Sequence, residues 1–384
     1  MKFRTATKRD LDRLAAIHLV AYPDDRNALT REENITRNPF GSLADVIVGE
    51  EDGVVLSTGR LFGFRTAFGG RSLRMGGIAS IAVAPEARGR GHATALVEEL
   101  HRRSYERGDA ITMLYAFQHG FYARLGYASA SSRKRLVIRP QAIPKSWRIG
   151  VRSPTDLVAI RRLYAAALLR ESGWMERSRT YWERWVANDR RTLLVAPAGY
   201  VSFFVSQDEI HGKSRLEVEE LVAEDPVTRR GLLAALGAFR DQVTEIVLEV
   251  AENDPLERGL VDVDLGRPGT PSVEHAYGQI VGGPMVRLGN LTRAIEARGY
   301  PVDGAFDLVV EEESLRVVVT EGRATVTLSK RPKSPLMTTR AGLAAILYGA
   351  LPLADAIDLD LAESEDPRIG AILALRPLVP VDAF

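Results

Sequence analysis

Ile78-Ala79-Ser80-Ile81-Ala82-Val83-Ala84-Pro85-Glu86-Ala87-Arg88-Gly89-Arg90-Gly91-His92-Ala93-Thr94-Ala95 joins an apolar run, a basic glycine-containing turn and the start of a helix. The run from Ile78 to Val83 has strand character and stops at Pro85. Glycine removes the Cβ that would keep an anion away from backbone N–H groups. The first N–H groups of a helix have no internal partner, and the helix dipole adds partial positive charge there. Arg88 and Arg90 add full charge and forked donors. The turn therefore has the makings of a phosphate cradle. Taken alone it reads rather as an ordinary strand-to-helix turn with solvated arginines, because a lone Gly-x-Gly is a weak signal.

Outward from this stretch, the flanks follow a simple order. Upstream, Leu73 to Val83 reads as one long strand, and its Gly76-Gly77 pair marks a bulge or a close backbone approach. Leu61–Phe68 reads as a further strand. Val46–Val48 and Val54–Leu56 flank Glu51-Asp52-Gly53 as a hairpin. Thr7 and Asp10 form a weak capping box before a helix that reaches about Ala21. The polar segment from Tyr22 to Gly41 offers Asp24, Asp25, Glu32 and Glu33 as acidic candidates for a cleft, or as a solvated helix face. Downstream, Ala93, Leu96, Val97 and Leu100 form an amphipathic stripe that ends near Gly108. Ile111–Ala116 is a strand. Gln118 to Tyr127 is a loop and short helix, and Arg135–Ile138 reads as the final strand of the unit. A strand, turn, helix and strand in that order form a right-handed βαβ unit. It would splay two strands and bring Tyr122 near the end of Ile78–Val83.

Two motifs now combine. Val83-x-Pro85-x-x-Arg88-Gly89-x-Gly91-x-Ala93 resembles the Arg/Gln-x-x-Gly-x-Gly/Ala acyl-CoA motif of GCN5-related N-acetyltransferases (GNAT proteins). Phe121-Tyr122-Ala123-Arg124-Leu125-Gly126-Tyr127 is similar to their tyrosine-bearing helix and following strand. The resemblance covers residues 1 to about 140. It implies acetyl-CoA as the acyl donor, held by Ile81, Ala82, Val83, Arg88, Gly89, Arg90, Gly91, His92, Ala93 and Thr94, with Phe117 and Gln118 beside them. No metal is implied. Tyr122 matches the family's general acid, and Tyr127 reads as a core aromatic.

A second unit begins near Trp147, with helices after Pro154 and over Tyr181–Trp185, and strands at Thr192–Ala196, Tyr200–Val205 and Glu217–Val222. Glu224–Leu236 can be laid on Ala84–Leu96, with Gly231 on Gly91, Thr228 on Arg88 and Arg229 on Gly89. This is either chance similarity or a duplicated domain whose turn has gained bulk and lost the cofactor. Asn253–Ala276 is linker-like. The third unit has a strand at Met285–Leu288, a helix at Leu291–Arg298 and an antiparallel meander from Phe306 to Leu328. Met337-Thr338-Thr339 then caps an apolar helix, Ala341–Leu347. This pattern resembles sterol-carrier-protein-2-like (SCP2-like) domains, serving either as a structural unit or as a lipid binder.

The expected organisation is α/β and α+β. A GNAT domain (1–143) and a degenerate GNAT-like domain (144–275) have mixed, splayed sheets flanked by helices, and an SCP2-like α+β domain (276–384) follows. This order resembles the enhanced-intracellular-survival (Eis) acetyltransferases, which implies a homohexamer. The apolar tail Arg376–Phe384 is stiffened by Pro377 and Pro380 and is better suited to docking than to solvation. It can pack on its own domain. Alternatively, as the Eis resemblance implies, it places the carboxylate of Phe384 in the first domain's site as general base. An ammonium acceptor must lose a proton before it attacks, and an ionised carboxylate can take it. Relatives with strong aminoglycoside activity carry an acid just before the terminal phenylalanine. Here that position is Ala383, with Asp382 one step earlier. Asp24, Asp25 and Asp382 are the candidates to attract a cationic acceptor.

Composition narrows the partners. The net charge is +1, with 45% hydrophobic and 26% charged residues, so no global field draws the chain to nucleic acid or anionic membrane. Zero cysteines exclude disulfides, thiolate nucleophiles and cysteine metal sites. No run has the length of a membrane span, and the N-terminus lacks a signal-type apolar core, so a cytoplasmic location is expected. The leading expectation is acetyl transfer to a primary amine (aminoglycoside, polyamine or lysine side chain), which includes a protein acetyltransferase with a lysine-bearing target. The alternative is a non-catalytic lipid-binding or scaffold protein.

Overall fold

The computed structural model describes residues 1–23, 28–188, 190–207, 214–261, 276–379 and 382. In chain order the first elements are β1 (Lys2–Thr5), α1 (Leu11–Ala21), α2 (Ala28–Thr36), β2 (Val46–Glu51), β3 (Val54–Phe68), β4 (Arg71–Val83), α3 (His92–Arg107), β5 (Ile111–Leu114), α4 (His119–Ala123) and β6 (Ala128–Ser129). The two short strands expected at Val54–Leu56 and Leu61–Phe68 are thus one strand, β3. The Thr7–Asp10 capping box forms as expected, with Asp10 accepting from the Thr7 amide at 2.7 Å. Residues alternate across β2. Val46 and Val48 pack with Leu14 and Ile17 of α1, while Ile47 packs with Leu96, Val97 and Leu100 of α3. The first sheet is therefore covered on both faces, and α3 ends at Gly108 in the left-handed conformation.

The second group is β7 (Ser132–Ile138), α5 (Val158–Leu168), α6 (Arg179–Val186), β8 (Thr192–Ala196), β9 (Gly199–Gln207), β10 (Ser214–Ala223), α7 (Pro226–Leu236), β11 (Glu245–Ala251) and β12 (Gly278–Gly282). The third is β13 (Met285–Leu288), α8 (Leu291–Ala297), β14 (Gly304–Val310), β15 (Glu313–Thr320), β16 (Arg323–Leu328), β17 (Leu336–Thr338), α9 (Arg340–Tyr348), α10 (Leu353–Asp358), β18 (Ala362–Glu363) and α11 (Arg368–Leu373). Thr339 caps α9 by accepting from the Gly342 amide at 3.0 Å.

Strand partners differ from the linear reading. The first sheet runs β1-β2-β3-β4-β5-β13-β6, and the second runs β12-β7-β11-β10-β9-β8. β7, expected to finish the first unit, lies antiparallel to β11 in the second sheet. β13, expected to open the third unit, lies antiparallel to β5 in the first. The exchange is reciprocal, since β6 pairs with β13 and β12 with β7. The two segments touch where they cross: the Gly283 amide donates to the Ser131 carbonyl at 2.8 Å, and the Ala130 amide to the Pro284 carbonyl at 2.9 Å. Alternation marks a strand and its faces but does not name its partner, so a sequence reading assigns each strand to its nearest neighbours. The third sheet runs β16-β15-β14-β17-β18. Its core is continuous with the first sheet's far end, with Phe68, Leu73 and Met75 in one cluster with Phe306, Leu308 and Val317.

Candidate functional site

β4 and β5 pair in parallel only over Met75–Gly77 and Ile111–Met113, then diverge. Beyond the divergence β4 carries a bulge. Thr58 faces Ala82 and Arg60 faces Ala79, so Gly59 alone stands opposite Ser80 and Ile81. Ser80 sits at φ +55°, and a Cβ on Gly59 would meet Ile81 Cδ1 at 2.5 Å. Of the two readings of Gly76-Gly77, the bulge does not fall there, and the close approach is to a side chain: a Cβ on Gly76 would meet Ser104 Oγ of α3 at 2.5 Å. Tyr22 fixes the bulge by donating to the Ile81 carbonyl at 2.8 Å. This restrains the splayed strand that presents Ile81, Ala82 and Val83.

The turn from Arg88 to Gly91 meets the requirements of a cradle. Gly89 and Gly91 lie at φ +74° and +83°, and a Cβ at either would find nothing within 4 Å. Open space lies where a phosphate would approach. No side chain caps α3, whose N-cap is Gly91. Arg88 and Arg90 are exposed, and Arg90 pairs with Glu51 at 3.1 Å. His92 is buried with an unpartnered Nδ1, while Ala93 and Thr94 are half-buried on the first turn of α3. Phe117 stands 79% exposed in the loop before α4, with Gln118 exposed beside it. Its ring stands edge-on to that of Tyr122, with centroids 6.3 Å apart.

Tyr122 of α4 is buried against Phe121 and Tyr127, with ring centroids at 4.9 and 5.8 Å. Burial raises its phenol to about 12. Its environment thus holds the proton at neutral pH, the state a general acid needs. Tyr127 is a core aromatic, its hydroxyl 3.0 Å from both Thr112 Oγ1 and His101 Nε2. Tyr122 and Ile78–Ile81 line one cavity of about 420 Å³, which also receives Tyr22 and Tyr115. The expected convergence of Tyr122 on the end of the β4 strand is therefore present.

The second sheet repeats the splay without the cradle. β10 and β11 pair only over Arg215–Glu217 and Glu245–Val247. The expected bulky turn is absent. α7 begins at Pro226, five residues before Gly231, and Gly231 lies inside the helix, where a Cβ would meet Ile149 at 2.3 Å. Asp225 caps α7 by accepting from the Thr228 amide at 2.8 Å. A carboxylate thus occupies the place an anion would take.

The tail docks on the second unit. Leu378 is buried and bridges to Ser172, and Trp174 Nε1 donates to the Val379 carbonyl at 3.0 Å. Asp382 is buried as well. Arg177 donates to it from Nε at 3.1 Å and from Nη2 at 2.8 Å, while Tyr181 and Tyr164 donate at 2.5 and 3.2 Å. Its carboxylate is therefore engaged inside the protein and not offered to a cation. Asp24, Asp25, Ala383 and Phe384 lie outside the described residues. Sequence reasoning missed Tyr22, Tyr115, Arg60 and Arg177. Each is an ordinary residue in an ordinary helix, strand or loop, and only its distant partner gives it meaning.

A splayed and bulged strand beside an uncapped glycine turn and a tyrosine helix has the features that an acyl-CoA-type transferase requires. Residues 2–130 match the acetyltransferase (GNAT) domain, and residues 173–288 match a second acetyltransferase (GNAT) domain. Together the matches span more than half of the chain, which carries two acetyltransferase (GNAT) domains. GNAT acetyltransferases use acetyl-CoA, and no group of described residues could hold a metal ion. The chain is 27% identical over 274 residues to the N-acetyltransferase Eis of Mycobacterium tuberculosis and of Mycobacterium bovis, spanning 65% of this chain and 65% of theirs. That is just under two thirds of those relatives. Among solved structures, GCN5-related N-acetyltransferases from Anabaena variabilis (20% identity) and Kribbella flavida (23%) both superpose with a TM-score of 0.83 over all of this chain, covering 100% and 98% of theirs. Eis1 from Mycobacterium abscessus does so with 0.75 at 19% identity, covering 100% of both chains. The likeness in fold therefore extends through the third unit. Among the described residues no helix is long and apolar enough to cross a membrane.

Proposed function

We propose that the protein is an acetyl-CoA-dependent N-acetyltransferase for a primary amine, active in the first GNAT domain. The observation that carries this is the convergence of the bulged splayed strand and a protonated Tyr122 on one cavity, with an open glycine turn following the same strand at the start of α3. Arg88 to Thr94 hold the pyrophosphate at the start of α3, with Phe117 and Gln118 flanking the cofactor. The thioester is the activated acyl group. The backbone N–H groups of Ile81 to Val83 face its carbonyl oxygen and oppose the charge that develops there. Tyr122 gives its proton to the departing sulfur.

The carboxylate of Phe384 is the proposed base. Support comes from Tyr115, which lines the cavity with Tyr122 and whose hydroxyl lies 3.4 Å from the backbone carbonyl of Asp382. Two further residues span at most about 7 Å. In this reading Asp382 anchors the tail rather than recruiting the acceptor. The second GNAT domain, with Asp225 in its anion position, has lost the cofactor and serves as the dock. The third unit, SCP2-like in sequence pattern, is a structural carrier of the tail. The hexamer implied by the Eis resemblance is checked by light scattering.

Calorimetric titration with acetyl-CoA tests the reading first, and one bound equivalent per chain is expected. No binding removes the enzyme reading in favour of a scaffold. A panel of amines assayed by CoA release then identifies the acceptor. A chain lacking Phe384 that remains fully active rejects the terminal base.

A further inference from the structure

We infer that the Ser80 hydroxyl accepts one N–H of the attacking amine and thereby selects primary over secondary amines. The inference rests on the acetyltransferase reading above and deepens it. Among the described residues seven non-glycine residues have positive φ. Six of them lie in turns or between elements, whereas Ser80, at φ +55°, lies inside β4. A left-handed non-glycine residue inside a strand is costly, and a glycine there would remove the cost. A regular strand sends successive side chains to opposite faces. At the bulge that alternation fails, and Ile78, Ala79, Ser80 and Ile81 all line the Tyr122 cavity. Tyr22 holds the distorted backbone through the Ile81 carbonyl at 2.8 Å. Ser80 is half-buried in this wall, and its side chain makes no hydrogen bond to any described residue. The strained backbone therefore keeps a hydroxyl at the cavity wall, one residue before the N–H groups of Ile81 to Val83 that face the thioester in the proposed reading.

The chemistry gives that hydroxyl a task. A neutral primary amine attacks through its lone pair and carries two N–H bonds. As the C–N bond forms, the nitrogen becomes cationic and the acetyl oxygen anionic. One N–H proton passes to the carboxylate base, the C–S bond breaks, and the sulfur takes the Tyr122 proton. The other N–H stays in the amide product. Ser80 accepts that second N–H, which turns the lone pair toward the thioester. The bond strengthens as the nitrogen gains charge, so it favours the transition state over the bound amine. A secondary amine has a single N–H, which the base must take, and it reaches the same transition state without help from Ser80.

The test uses the full chain with acetyl-CoA, two variants, and amines matched except for N-methylation: benzylamine with N-methylbenzylamine, and cadaverine with N,N′-dimethylcadaverine. Ser80→Gly suits the positive φ and Ser80→Ala keeps the strain, while both lack the hydroxyl. In the pair turned over best, each variant should lower kcat/KM for the primary amine by about tenfold or more. Acetyl-CoA affinity by calorimetry, and kcat/KM for the methylated amine, should stay within about threefold of wild type. Full activity of Ser80→Gly on the primary amine overturns the inference, because the backbone and not the hydroxyl then matters. An equal loss on both amines, or a parallel loss of acetyl-CoA affinity, places the hydroxyl on the thioester and overturns it as well. Turnover of no amine by the wild-type protein refutes the acetyltransferase reading instead.

Discussion

Replacing Arg177 with methionine should release the C-terminal tail. The guanidinium is sealed from solvent and links two buried carboxylates, Asp382 of the tail and Glu220 of β10. It also lies over Tyr164 at 4.1 Å and Trp182 at 4.9 Å from the ring centroids. Burial pushes the Glu220 carboxyl above its ordinary range although the guanidinium opposes the shift. Removing one member of a buried ion pair costs about 3–5 kcal/mol, because the remaining charge has no partner. Here two carboxylates remain, so proton uptake by one of them limits the loss to the upper part of that range. Lost cation–π contact adds roughly 0.5–2 kcal/mol. The tail can escape most of this cost by undocking, which returns Asp382 to water. The variant should therefore show rapid carboxypeptidase trimming past Leu378, a lower urea midpoint for the second unit, and weak acetyl transfer with acetyl-CoA affinity nearly intact. Asp382→Asn keeps the amide near Tyr164 and Tyr181 and should be milder. If Arg177→Met resists trimming as well as wild type and loses less than about 1 kcal/mol, the triad does not hold the tail and the anchoring argument fails.

Three further outcomes are expected. Tyr122→Phe should lower kcat while leaving acetyl-CoA binding nearly unchanged. In the wild type, an acid raised to about 12 stays protonated through the neutral range, so kcat/KM should rise with pH as the amine deprotonates and not fall below about pH 10. A descending limb between pH 7 and 9 would exclude Tyr122 as the acid. Gly91→Ala meets no steric neighbour and costs about 1–2 kcal/mol through its positive φ. It should weaken acetyl-CoA by more than that strain explains, because the methyl projects into the cradle; unchanged affinity by calorimetry would place the phosphates elsewhere. His18 and His101 are held neutral, lowered to about 4 and about 3 by burial. Their unfolded forms take up protons first, so stability is full above about pH 6.5 and lost as pH falls toward those values, by about 2 kcal/mol per histidine at pH 5. A thermal midpoint that does not move between pH 7.5 and 5 would contradict this.

Much of the site was legible because its requirements are local. A phosphate turn needs small residues and helix N–H groups within a few positions, and Arg88 to Gly91 declare this in order. The α3 stripe and its Gly108 terminus, the α9 cap at Thr339 and the core role of Tyr127 follow from the same short-range rules. Tyr122 was legible through its neighbours in the motif. The echo at Gly231 was visible as similarity, but its fate was not. Asp225 and Pro226 together start the helix early, which leaves Gly231 inside it against Ile149, a neighbour 82 positions away in the chain.

Sequence by itself therefore determined the βαβ order, the open glycine turn and the tyrosine-bearing helix, since each is written into residues a turn or a strand apart. Only the tertiary structure decided the exchange of β7 and β13 between sheets, the placement of Arg60 beside Tyr122, and the burial of Asp382 on Arg177. These depend on which distant backbone carbonyls or charges a side chain meets after folding. A buried charge is stable only with a partner, and no spacing along the chain reveals which distant residue supplies it.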